Sequence, residues 1–458
     1  MSGPLWTGAD IALATGGRLS APFEGTEVTF DSREVIGGEL FVAMRGEQAD
    51  GHAFVGQAAA RGATGFLVGQ PVPHPHVLVA DPFQALQALG RAARARTAAK
   101  VIGVTGSVGK TGTKEALRQA FERMAPGRVH ASVKSYNNHS GVPLSLARMP
   151  ADTRYAILEM GMNHAGEIAA LTEQVRPHVA AITWVAGVHL EHFPDGEAGV
   201  ARAKAEIFAG VEQGGWAVFP ADNRHAALLQ GAADAHGLQT LSFGESAAAD
   251  VRLLRVEVGA LGSDLVADVA GEELHCRVGI PGRHWVSNAL CLLGAVKAAG
   301  GDLAEAGLAL AGLRPLAGRG ERVAIPLPGG TATILDESYN ANPTSMAVAL
   351  AVLRDTPAKR RLAILGAMRE LGEASDRLHA DLADPIAEAK IAELALVGAE
   401  MQALALDGAS HLADAKAALS WARANLRDGD VLLVKGSNSV GLGTLVEALK
   451  GALKGAGA

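Results

Sequence analysis

Residues Gly103–Thr111 read GVTGSVGKT, and this stretch constrains the fold more than any other. It follows an apolar run, Lys100–Thr105, and precedes a helix-like run from Lys110 to about Met124. A strand, a glycine-rich turn and a helix in that order make a phosphate-binding loop. Successive backbone N–H groups point inward and cradle phosphate oxygens. The helix N-terminus adds about half a positive charge. Lys110 then reaches the β- and γ-phosphates, and the Thr111 hydroxyl ligates Mg²⁺. The strict pattern has glycine six residues before the lysine; this chain has Val104 there, so the loop is a variant. ATP use follows from the loop, but the acceptor does not.

The remaining chain bounds the setting. At 458 residues it is long enough for about three domains. Hydrophobic residues at 48% and charged residues at 19% describe a globular protein. Lys+Arg 41 against Asp+Glu 48 gives −7, which argues against gripping a nucleic acid backbone. Such a field repels anions, so any phosphate site must be local. Aromatic residues are only 4%, too few for base-stacking platforms. The two cysteines, Cys276 and Cys291, make no disulfide framework, which favours a reducing cytoplasm. With His275 and His284 they fit no usual zinc spacing and read as small hydrophobes. The N-terminal MSGPLWTGAD has neither a basic region nor a long apolar core, so no signal peptide is expected. The uncharged stretch Gly62–Ala80 holds three prolines and cannot be a spanning helix, so no membrane insertion is expected.

Three segments differ in pattern. Residues 1–97 carry short strand-like runs, Glu39–Met44 and Val77–Val79, with a proline-rich loop at Pro71–His76. Pro82–Arg96 reads as a helix that could act as a hinge. Residues 98–313 alternate strands (Lys100–Thr105, Arg154–Met160, His178–Val185) with helical runs, which predicts a mostly parallel sheet covered on both faces. Val251–Val278 alternates like antiparallel strands at an edge. Residues 314–458 form a further α/β unit, Rossmann-like, with strands at Thr331–Leu335, Arg361–Leu365, Leu394–Val397 and Val431–Lys435 and a helix at Pro343–Arg354. The fold class expected is α/β in three domains.

Further short motifs surround the loop. They are Asn137–Pro143 (NNHSGVP), Glu159–His164 (EMGMNH), His189-Leu190-Glu191 and Ala203–Ile207 (AKAEI). Gly282-Arg283-His284 with Asn288, Asp336, and Tyr339–Pro343 (YNANP) follow. Leu365–Met368 with Glu370–Gly372, and Val434–Ser437, come last; Asp31-Ser32-Arg33 and Asp50-Gly51-His52 lie near the N-terminus. In this order they resemble the Mur ligase family, the ATP-dependent amide ligases of peptidoglycan synthesis, along the whole chain. YNANP with LGxMxELG most resembles the member that joins D-alanyl-D-alanine to UDP-N-acetylmuramoyl-tripeptide.

The resemblance implies a mechanism and a division of labour. ATP phosphorylates the tripeptide carboxylate, and the dipeptide amine displaces phosphate from the acyl phosphate. Residues 1–97 would bind the uridine diphosphate, 98–313 ATP, and 314–458 the dipeptide. Gly106, Ser107, Val108, Gly109, Lys110 and Thr111 would hold the nucleotide phosphates. Asn288 would meet adenine, whose N6 and N7 suit an amide; by chemistry alone it equally reads as a helix cap. Arg319 would stabilise γ-phosphate charge and Asp336 would hold the ribose; either could otherwise be a surface ion pair. Thr111, Glu159, His189 and Lys204 would bind two Mg²⁺ ions. By periodicity, Lys204 is a solvent-facing lysine on a helical run, Ala201–Phe208; the resemblance implies a lysine carbamylated by CO₂, which turns a cation into a metal ligand. Asn137, Asn138, Asn340 and Asn342 would contact substrate, as would Ser32 and Arg33. A cytoplasmic monomer that approaches closure about hinges near residues 97 and 314 is expected.

Departures and rivals complete the reading. Trp184, Met162 and Asn438 stand where the family commonly has Asn, Ala and Arg. The sister ligase that adds the third amino acid carries a different motif in place of YNANP. Folylpolyglutamate synthase lacks the N-terminal unit. A P-loop ATPase switch would hydrolyse ATP without a peptide acceptor.

Overall fold

The computed structural model describes residues 3–46, 49–259 and 261–455. Among the described residues three larger sheets organise the chain, each with helices packed on it, and a small antiparallel pair, Trp6–Thr7 with Glu24–Gly25, stands beside the first.

The first sheet runs in the order Arg18–Leu19, His76–Leu78, Gly65–Val68, Glu39–Val42, Glu27–Thr29, and its last four strands are parallel. Glu39–Val42 and Gly65–Val68 are buried at every position, the continuous pattern of a strand covered on both faces. The helix Pro82–Ala95 starts where Asp81 accepts from the N–H of Phe83 at 2.8 Å and proline fills the first turn. It buries Leu86, Leu89 and Ala93 at helical spacing. Gly90 brings it against Gly141–Ala147 of the next unit, where an added Cβ would lie 3.0 Å from the Pro143 carbonyl. The expected hinge helix is therefore docked on its neighbour. Trp6 Nε1 donates to the Ala147 carbonyl (2.8 Å), and the Arg96 guanidinium covers the Trp6 ring at 3.6 Å.

The second sheet has nine strands: Glu272–Val278, Gly262–Val269, Val251–Gly259, Gln239–Gly244, Trp216–Pro220, Val179–Ile182, Lys100–Thr105, Tyr155–Glu159, Val129–Ala131. All neighbours are parallel except the first two pairs, so the alternating segment forms the expected antiparallel edge. Strand order reverses around Lys100–Thr105, and ligands of open α/β sheets bind at the C-terminal ends of the strands there. Trp216–Pro220 and Gln239–Gly244 have no counterpart among the expected elements. Cys291 is fully buried on the helix Arg283–Ala298, whereas Cys276 is half-buried on the edge strand; burial pushes both thiols up to about 12.

The third sheet orders Glu321–Leu327, Gly330–Glu337, Asp430–Lys435, Arg360–Gly366, Glu393–Val397, Ser410–Leu412. Its first pair is an antiparallel hairpin that the sequence reading missed in half; the others are parallel. Among the described residues no helix is long and apolar enough to cross a membrane.

Candidate active site

The phosphate loop sits at the C-terminal end of the Lys100–Thr105 strand, and its shape depends on glycine. Gly106 has φ +152° and Gly109 φ +85°. An added Cβ on Gly106 would lie 2.0 Å from Thr183 Oγ1, and on Gly109 2.6 Å from Asn288 Oδ1. Gly109 occupies the N-cap of the helix Lys110–Met124 with no side chain capping it, so the first N–H groups are left for an anion. The loop is bolted to the segment after Val179–Ile182. Ser107 N–H donates to the Trp184 carbonyl (2.7 Å), Ser107 Oγ to the Ala186 carbonyl (2.8 Å), and Thr183 Oγ1 to the Val108 carbonyl (2.5 Å). Trp184 thus holds the loop through its backbone and does not line the cavity beside it.

That cavity, about 360 Å³, lies between the second and third units. Ser107–Thr111, Asn137, Glu159, His189 and Asn288 form one wall, and Arg319, Glu337, Asn340, Asn342 and Lys435 the other. Lys110 Nζ donates to the Gly106 carbonyl at 2.6 Å. Burial lowers its pKa against the pull of Glu159. Glu159 ends the Tyr155–Glu159 strand, 1% exposed. Its Oε1 accepts from Asn137 Nδ2 at 2.8 Å, and its Oε2 is buried with no partner. A bare carboxylate oxygen lining the same cavity as the Thr111 hydroxyl is an oxygen donor of the kind that suits a hard divalent cation. His189 has φ +54° and its Nδ1 meets the carboxylate of Glu370, so a contact between the two units is made at the cavity rim.

Several side chains differ from their sequence reading. Lys204 is not solvent-facing: it is 2% exposed on the helix Glu197–Ala205, which passes into a 3₁₀ turn at Glu206–Gly210. Burial, with Lys110 second, holds its amine well below the usual lysine range. Asn288 is no cap, since Gly282 holds that position and Asn288 lies in the second turn of Arg283–Ala298, facing the phosphate loop. Arg319 is no surface ion pair: it donates to Ser135 Oγ (3.3 Å) and its guanidinium lies 3.9 Å over the Tyr339 ring. Asp336 is 3% exposed; its oxygens accept from Gly318 N (3.0 Å) and from Ser338 N and Oγ (3.1 and 2.6 Å), and Lys450 Nζ lies 3.9 Å from its Oδ2, so the ion pair it makes is a long and mostly buried one. It shapes the turn that carries Arg319 and does not line the cavity.

Other expected contacts are divided. Asn342 caps the helix Pro343–Asp355 through the Ser345 N–H (2.9 Å) and still lines the cavity with Asn340. Asn138 is spent locally, accepting from Gly141 N at 2.9 Å. Ser32 donates to Gln57 Oε1 (2.7 Å) and Arg33 pairs with Asp31 (2.7 Å); both lie in the first unit, away from this cavity. Among the cavity residues missed as site residues are a lysine and a glutamate. Lys435, 2% exposed, donates to the Asn340 carbonyl at 2.9 Å, and Glu337 Oε2 lies 3.7 Å from Lys435 Nζ. The available signal was a charge closing each of two apolar strands.

Comparison with known proteins agrees with this geometry. The family descriptions "Mur ligase family, catalytic domain", "Mur ligase middle domain" and "Mur ligase, glutamate ligase domain" match residues 25–104, 104–296 and 318–438. The UDP-N-acetylmuramoyl-tripeptide–D-alanyl-D-alanine ligase of Escherichia coli is 33% identical over 94% of this chain and 96% of its own. A crystal structure of MurF from Acinetobacter baumannii superposes with a TM-score of 0.84 at 30% identity, covering 97% of this chain and 98% of the other. MurF of Thermotoga maritima in complex with ADP gives 0.77 at 25% identity, over 93% and 98%.

Proposed function

The chain belongs to the Mur ligase family, and on that premise we propose that it joins D-alanyl-D-alanine to UDP-N-acetylmuramoyl-tripeptide with ATP cleaved to ADP and phosphate. The observation that carries this reading is a single cavity with the phosphate loop on one wall and the Tyr339–Pro343 turn on the other. The loop N–H groups and Lys110 hold the triphosphate, and Arg319 faces the charge that develops on the transferred phosphoryl group. The tripeptide carboxylate takes that group and becomes an acyl phosphate. The dipeptide amine then displaces phosphate. Bringing both anions into line is the main contribution of the protein.

Thr111, Glu159, His189 and Lys204 would hold two Mg²⁺ ions, which when bound neutralise phosphate charge. The orphaned Glu159 Oε2 supports this assignment. Lys204 as carbamate is supported by its burial, which lowers the amine's pKa; the neutral amine is the form that adds CO₂, and the product is an anion suited to a cation site. Lys204→Ala with and without a short-chain carboxylate tests it: loss of rate with rescue is expected, and no loss overturns it.

The division 1–97, 98–313 and 314–458 is supported by the three larger sheets, which occupy Arg18–Leu78, Lys100–Val278 and Glu321–Lys435. Ser32 and Arg33 are the candidate uridine-side contacts, and Asn288 the adenine contact. On this reading the enzyme works as a monomer in the cytoplasm, where nucleotide-linked precursors and ATP are found. The decisive experiment is phosphate release from ATP and Mg²⁺ with the UDP-linked tripeptide, with and without D-alanyl-D-alanine. Release that requires both substrates is expected. Release that ignores the dipeptide indicates a sister ligase or a P-loop ATPase.

A further inference from the structure

Among the described residues the cavity is lined by three lysine or arginine side chains, Lys110, Arg319 and Lys435, by two histidines, His189 and His284, and by only two carboxylates. Glu159 stands on the wall of the phosphate loop and is bonded to Asn137. Glu337 stands on the opposite wall, one residue past Asp336, at the end of the Gly330–Glu337 strand. Its Oε2 is 3.7 Å from Lys435 Nζ, beyond hydrogen-bond distance, while Lys435 donates instead to the Asn340 carbonyl at 2.9 Å. The carboxylate is therefore partly buried, faces the cavity, and has acceptor capacity left.

The incoming nucleophile sets a chemical demand. An α-amino group has a pKa of about 8, so at neutral pH it arrives mainly as an ammonium, which has no lone pair. A ligase of this kind needs a group that attracts a cation and then takes its proton. Resting on the ligase reading above, we propose that Glu337 binds the ammonium of the incoming dipeptide and is the base that frees its amine.

The protons and bonds balance. One ammonium proton passes to a Glu337 oxygen. The freed lone pair forms the C–N bond to the acyl carbon. The C–O bond to phosphate then breaks, and the second proton lost from nitrogen leaves with phosphate. Glu337 returns its proton to solvent through the open side of the cavity.

The surroundings suit this role. Burial raises the Glu337 pKa, which moves a carboxylate towards the range of an effective base; Lys435 and Arg319 oppose the shift and Asp336 adds to it. Arg322 and His284 share a small adjoining cavity with Glu337 from the neighbouring strand and helix. Asp336 cannot substitute, because its oxygens already accept from Gly318 and Ser338.

The test separates acyl-phosphate formation from amine attack. Glu337→Gln in the full-length enzyme is assayed with two nucleophiles: D-alanyl-D-alanine, and hydroxylamine, which is already neutral at the assay pH. Hydroxamate formation from ATP and the UDP-linked tripeptide should stay within about twofold of wild type. Transfer to D-alanyl-D-alanine should fall at least about a hundredfold, the usual scale of a positioned base. The residual transfer should rise with pH as free amine accumulates, and Glu337→Asp should recover part of the rate. Equal loss with both nucleophiles, or unchanged transfer to the dipeptide, overturns the proposal. Wild-type enzyme that forms hydroxamate but never uses the dipeptide overturns the ligase reading instead, a separate result.

Discussion

Asn137 donates an amide hydrogen to Oε1 of Glu159 across 2.8 Å, and Oε2 of the same carboxylate is left buried without a partner. The pair orients a charge towards the cavity and stops short of neutralising it. Glu159→Gln should therefore cut phosphate release by about a hundredfold or more, while folding stability holds or improves, since a buried carboxylate with one unpartnered oxygen is replaced by a neutral amide. Asn137→Ala should raise the Mg²⁺ concentration needed for half-maximal rate by about tenfold, the scale seen when a ligand loses its orienting partner. Mg²⁺ titration of phosphate release, with thermal melts of each variant, checks both.

Gly106 gives a sharper structural prediction. At φ +152°, with Thr183 Oγ1 only 2.0 Å from the site of a Cβ and the Trp184 backbone at 3.2 Å, Gly106→Ala must move the loop. A cost of about 2–4 kcal/mol and loss of ADP binding are expected. Gly127→Ala is the control: φ is +70° but nothing lies within 4 Å, so a cost of about 1 kcal/mol and normal ADP binding are expected. Denaturant melts and ADP titration calorimetry measure both; equal effects would refute the steric account.

Arg319 spans Ser135 Oγ and the Tyr339 ring, a geometry that needs a planar cation. Arg319→Lys keeps the charge but loses the fork and the stacking. We expect a fall of about a hundredfold in kcat with the melting temperature within a few degrees of wild type. Retained kcat would show that charge alone is sufficient.

His130 offers a pH test of stability. Its ring nitrogen Nε2 lies 2.7 Å from the Ser145 carbonyl, which only accepts, so Nε2 carries the proton. Burial pushes its pKa down to about 4 from 6.5. Between those values the unfolded chain is protonated and the folded one is not. Stability should be level above pH 6.5 and decline as pH falls towards 4. His130→Gln should flatten part of that decline in melts run across the range; an unchanged slope would assign it to other groups.

Much of this molecule was legible from the chain. The strand–loop–helix of Lys100–Met124 is a local pattern, written in glycine spacing and helical periodicity, and so are the Pro82–Ala95 helix and its Asp81 cap. The short motifs, with the resemblance they carry, also singled out Lys110, Glu159, His189, Asn288 and Arg319, and these five line one cavity. The sequence was less informative where burial decides chemistry. Lys204 reads as a solvent-facing helix lysine because its periodicity is that of an amphipathic surface, yet the turns around it fold over the amine.

The order of motifs thus determined the sheet type, the three-unit plan and the nucleotide loop, because these follow from neighbours within a few residues. Only the tertiary structure decided which polar groups remain available. Asp336 and Glu337 are adjacent in sequence, but the first is consumed by Gly318 and Ser338 while the second faces the cavity beside Lys435. Arg319 meets Ser135 across 184 residues of chain, and Lys435 meets Asn340 across 95. A hydrogen bond used inside the fold is unavailable to substrate, and the partner that uses it is set by packing between distant segments.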